Sequence, residues 1–90
     1  MRRKAMLKWE TIRENTATSD GYTYKYTLLS SGDGMYSLKI VMIGVGGEMH
    51  SDTASVMTSD GGRAIAFYNR LVKNLATPSN LRYCIEDERL

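Results

Sequence analysis

The chain holds one cysteine (Cys84), one histidine (His50) and one proline (Pro78) in 90 residues. A single thiol excludes an intrachain disulfide, so an oxidising compartment offers the fold nothing and a cytosolic setting is expected. With one thiol and one imidazole, a metal site would have to recruit carboxylates from separate turns, and no ligand spacing of that kind occurs. No cofactor motif is found, and none is expected. Long apolar runs are missing as well. Nothing approaches the ~18 uncharged residues of a membrane-spanning helix, and the stretch after the basic start, 5–10, is broken by Lys8 before it makes the apolar core of a signal peptide. Charge of one sign is also lacking: 12 basic against 10 acidic residues leave +2, too little to steer the whole chain toward a polyanion or a membrane.

What is present fits one domain spanning 1–90, with 1–5 as a disordered basic tail (Arg2, Arg3, Lys4) and Glu86, Asp87 and Glu88 near the acidic finish. Residues 6–14 mix apolar, charged and β-branched types and predict a first strand. The polar run 15–21 ends in Asp20-Gly21, a pair that tolerates positive φ and predicts a hairpin turn. Over 22–30 the alternation is sharp, with Tyr22, Tyr24, Tyr26 and Leu28 on one face and Thr23, Lys25, Thr27 and Leu29 on the other. Ser31, Gly32, Asp33 and Gly34 then supply a reversal. Residues 35–43 become apolar on both faces and predict a central strand. The glycine-rich 44–47 breaks it. Residues 48–57, with small polar side chains, predict an edge strand.

At 60–76 the period changes from two to about 3.6, with Ile65, Tyr68, Leu71, Val72 and Leu75 forming an apolar stripe. Phe67 falls at its edge, where a core role is weaker and contact with the final helix or with a second copy is expected. Thr58, Ser59 or Asp60 can cap the helix start, and Thr77-Pro78 ends it. Ser79 can cap a short final helix bearing Leu81, Cys84 and Ile85. The predicted fold is therefore α+β: a four-stranded antiparallel meander packed on one amphipathic C-terminal helix, plus a short terminal helix.

Few residues are placed for chemistry. His50, Ser51 and Asp52 have the residue types of a nucleophilic triad, but strand geometry turns Ser51 away from the other two. His50 and Cys84 can form a dyad only if the fold joins them, and Cys84 sits beside Leu81 and Ile85 as a small hydrophobe. Catalytic residues are therefore not assigned. The 44–47 loop follows a strand but precedes another strand and has no adjacent lysine, a poor match to a phosphate loop. Gly61, Gly62 and Arg63 open a helix and can hold a small anion, although Asp60 and simple capping argue otherwise. Tyr22, Tyr24 and Tyr26 with Lys25 have the character of a stacking platform for single-stranded nucleic acid if exposed, and of ordinary core if they lie under the helix.

The strand YTYKYTLLS (Tyr22–Ser30), the strand pair after it, and the ending FYNRLVKNLATPSNLRYCIEDE (67–88) resemble a family of short, about 90-residue bacterial proteins whose activity is unassigned. The resemblance covers most of the chain, with the Thr77-Pro78 turn and the acidic segment matching and 44–47 departing. It implies a sheet followed by a helix in a cytosolic bacterial setting, and carries no catalytic residue over. The reading placed first is a non-catalytic protein-interaction module whose partner is a second copy of the chain, as a homodimer, or another protein. A single-stranded nucleic-acid binder is the alternative and a small enzyme comes third; a membrane partner is not expected.

Overall fold

The computed structural model describes residues 9–32 and 34–88. The basic tail expected over 1–5, and the opening of the strand expected from Met6, lie outside them. Four strands, β1 (Glu10–Ser19), β2 (Tyr22–Ser30), β3 (Met35–Ile43) and β4 (Met49–Met57), pair antiparallel in the order β1-β2-β3-β4. Then come α1 (Gly61–Lys73), a 3-10 turn (Pro78–Asn80) and α2 (Leu81–Glu88) running directly out of that turn. The fold is the α+β meander with C-terminal helices that the alternation and the change of period predict. Its shortest principal extent of 19 Å has room for one sheet layer and one helical layer.

Strand β1 corrects the expectation at its C-terminal end. It runs to Ser19, and its polar second half pairs with the tyrosine strand: Asn15 with Tyr26, Ala17 with Tyr24, Ser19 with Tyr22. Polarity there signals an outer strand, not a loop, because an edge strand gives up little apolar surface. The register shifts between Thr11 and Arg13, and the extra residue, Ile12, packs against the core. At the other end of the strand Asp20 (φ 54°) and Gly21 (φ 85°) are both left-handed. A two-residue hairpin needs positive φ at both positions if its strands are to keep their natural twist.

Register decides which side chains share a face. Tyr24, Tyr26 and Leu28 of β2, Leu38 and Ile40 of β3 and Val56 of β4 point to one side and are buried. They are covered by Ala64, Phe67, Tyr68 and Leu71 of α1, by Ala76, and by Leu81 of α2. Two phenolic hydroxyls fasten the layers. Tyr26 Oη donates to the carbonyl of Ala76 at 2.8 Å, and Tyr68 Oη donates to Asn15 Oδ1 at 2.7 Å with the Tyr26 carbonyl 3.1 Å away as a second acceptor.

The end of α1 also differs from the expectation. It stops at Lys73, before the proline signal, because Leu75 adopts a left-handed φ of 53°. The amide of Ala76 then donates to Leu71 and that of Leu75 to Val72, closing a Schellman turn that satisfies the last carbonyls. A leucine accepts this conformation because its side chain packs on the core, which offsets roughly 1–2 kcal/mol of backbone cost.

At its start, α1 is capped by Asp60, whose Oδ1 accepts from the amides of Gly62 at 3.0 Å and Arg63 at 3.3 Å. Thr58 supports the cap, its Oγ1 accepting from the Asp60 amide. Asp60→Ala is expected to destabilise the fold by about 0.5–2 kcal/mol, measurable as a lower urea midpoint with an unchanged slope.

Candidate interaction edge along β4

The tyrosine row is core, which corrects its reading as a recognition platform. Tyr24 and Tyr26 are 9% and 1% exposed, and Tyr22 packs against the same cluster. Tyr24 and Tyr26 stack on each other at 6.3 Å between ring centres, leaving their faces to one another and to the helices. Burial pushes the Tyr26 hydroxyl up to about 12, with Tyr24 and Tyr68 adding to the shift. Lys25 points to the opposite face and is exposed, so it does not join the tyrosines. Phe67 is 2% exposed and is likewise a core residue, not a contact on the surface.

The anion site expected at Gly61, Gly62 and Arg63 is corrected too, since the Asp60 carboxylate already occupies the Gly62 and Arg63 amides. His50 and Cys84 are not brought together. His50 lines a hollow with Met42, Ser51, Asp52, Pro78 and Ser79, whereas Cys84 lines another with Asn74, Leu75, Ala76, Asn80 and Tyr83. His50 and Asp52 do share a face, as strand geometry requires, but Asp52 pairs with Arg82, Nε to Oδ2 at 3.3 Å. Among the described residues no three His, Cys, Asp or Glu side chains cluster, and no helix is long and apolar enough to cross a membrane.

The sheet presents two distinct surfaces to solvent. Its open face carries Thr16, Lys25, Lys39, Thr53 and Ser55 exposed, with Glu14, Thr16, Lys25, Thr27, Lys39 and Val41 around a shallow depression. The second surface is the edge of β4. Its backbone directions follow from the hydrogen bonds at its two ends: the Gly44 amide donates to Glu48 at 2.8 Å, and the Thr58 amide to Gly34 at 2.9 Å. Bonded and non-bonded pairs alternate along an antiparallel ladder. With Met42 opposite His50 and Tyr36 opposite Val56, the residues His50, Asp52, Ala54 and Val56 bond to β3. The amides and carbonyls of Met49, Ser51, Thr53, Ser55 and Met57 therefore point outward.

The two edges of the sheet are guarded differently. Strand β1 has the register shift at Ile12 and the charges of Glu10, Arg13 and Glu14, devices that deter another strand from pairing. Strand β4 keeps unbroken register from Met49 to Met57, with no lysine, no proline and one carboxylate, Asp52. Hollows run along it on the helix side, one beside Pro78 and Ser79 and another lined by Ala54, Ser55, Arg82, Ile85 and Glu86. The small polar residues of 48–57 signalled an edge strand; which backbone groups it offers depends on pairing with β3. Comparison with protein-family models, curated proteins and solved structures returns no match for the chain.

Proposed function

We propose that this protein is a non-catalytic protein-interaction module that takes up a partner polypeptide as an added strand along β4. The observation that carries the reading is the row of outward backbone groups on β4, in unbroken register and crossed by one local bond from the Thr53 amide to Asp52 Oδ1, where the β1 edge is bulged and charged. Strand addition draws its affinity from main-chain hydrogen bonds and its selectivity from pockets beside alternate side chains. Both parts are at hand: the outward amides of Met49, Ser51 and Ser55 have no bonding partner among the described residues, and hollows lie beside the strand toward the 3-10 turn and α2.

Proline at position 53 is a clean test. The Thr53 amide points away from β3, so Thr53→Pro removes no bond of the sheet's own ladder, and an edge strand tolerates proline on its solvent side. Tagged wild-type protein is expected to recover a polypeptide from the cells that produce it, with exchange protection appearing at Met49, Ser51 and Ser55. Thr53→Pro is expected to lose that polypeptide, and a Lys25→Ala/Lys39→Ala double variant to keep it. Recovery of nucleic acid in its place, lost with the lysines, would overturn the reading.

A further inference from the structure

We infer that the strand added along β4 is the β4 of a second copy of this chain, antiparallel about a twofold axis through Thr53. The inference rests on the strand-addition reading and names its partner. An antiparallel pair related by a twofold axis sets one residue against its own image, and the chain's geometry picks the residue. The outward set Met49, Ser51, Thr53, Ser55 and Met57 is centred on Thr53. Only about that centre do all five find a counterpart: Met49 meets Met57, Ser51 meets Ser55, and Thr53 meets Thr53. Hydroxyl residues oppose hydroxyl residues at the three inner positions, pairings that support a ladder.

Charge agrees with the same operation. Asp52, the one carboxylate of β4, comes opposite Ala54 of the second copy and never its own image. The axis also sets the two α2 helices antiparallel, with the sides that carry Arg82 and Glu86, which line the hollow beside Ala54 and Ser55, turned toward each other. One arginine and one carboxylate from each α2 then flank the seam, with Arg82 held by Asp52 of its own copy, a pattern repeated by the twofold axis as isologous interfaces require.

One group stands in the way and makes the pairing adjustable. The Thr53 amide, at the centre of the outward row, donates to Asp52 Oδ1 at 2.9 Å. When the strands meet, that amide transfers to the Thr53 carbonyl of the second copy, and the Asp52 carboxylate stays on Arg82 through Oδ2. Asp52 thus competes with the partner strand for the central donor.

Sedimentation of the intact protein over a range of concentrations, combined with cysteine crosslinking, tests this. The wild type is expected to dimerise, Thr53→Pro to remain monomeric with its far-ultraviolet circular dichroism retained, and Asp52→Ala to dimerise about tenfold more tightly, since each copy no longer has to release a local hydrogen bond. With Cys84→Ser in the background, Thr53→Cys is expected to oxidise to a disulfide-linked dimer, because bonded antiparallel pairs lie ~5.5 Å apart at Cα, within disulfide reach. Lys25→Cys in the same background is expected to stay monomeric. If Thr53→Pro loses its fold, the cysteine variants decide alone. A wild type that is monomeric at every concentration, or crosslinking through Lys25→Cys and not Thr53→Cys, would overturn the twofold pairing. A monomer that still loses a cellular polypeptide on Thr53→Pro overturns the second copy and leaves strand addition standing, whereas indifference of both readouts to that variant overturns the two together.

Discussion

Phe67→Ala is expected to lower the folding free energy by about 3–5 kcal/mol, the range for emptying a buried aromatic site. For a chain of this length total stability is of order 5–13 kcal/mol, so the urea midpoint falls by about a quarter or more while the slope holds. The ring is 2% exposed and sits in the cluster with Tyr26, Leu28 and Leu81. An exposed residue serving only as a contact would change stability by no more than ~0.5 kcal/mol. A midpoint that stays within that margin would return Phe67 to the surface.

Raising the pH from about 10 to 12 is expected to destabilise the protein. Burial is the main reason that the hydroxyls of both Tyr26 and Tyr68 are pushed up to about 12 from an ordinary 10.0; for Tyr68 the Glu14 carboxylate adds to the shift and Arg13 opposes it. The sign follows from proton counting. Above pH 10 the unfolded chain releases these two protons while the folded one keeps them, so stability fully present below 10 is lost as the pH rises toward 12. Urea midpoints measured from pH 7 to 12 are expected to be flat and then to drop steeply. A Tyr26→Phe/Tyr68→Phe double variant starts lower, because the Ala76 carbonyl and the Asn15 side chain lose their donor, but its curve is expected to fall less between 10 and 12. Parallel curves for the two proteins would assign the alkaline loss elsewhere.

The sequence makes some of this architecture plain and hides the rest for physical reasons. The tyrosine strand and the strand after it are bounded correctly, since alternation over Tyr22–Ser30 and Met35–Ile43 is a direct consequence of pleating. Alternation says which residues share a face but not which face a later element covers, so the tyrosines read equally as platform or core until α1 is seen against them. The second half of β1 is obscured because Asn15, Thr16, Thr18 and Ser19 are polar in a strand whose partner supplies the apolar side. Phe67 is misplaced by about half a residue's rotation of the helix. Counting large side chains centres the stripe near Tyr68 and Leu75, whereas the buried set is Ala64, Phe67, Tyr68 and Leu71, with the small Ala64 letting the helix approach the sheet. The outward row of β4 is set by pairing with β3 and has no signature of its own in composition.

Tyr26 and Ala76, fifty positions apart, also set the order of events on the ribosome. All four strands leave the exit tunnel before the residues that roof them, and at ~5–20 residues per second the greasy underside of the nascent meander stays bare for some seconds. A chaperone that covers apolar surface has its opening in that interval, and a translation complex stalled once Met57 has cleared the tunnel would display it.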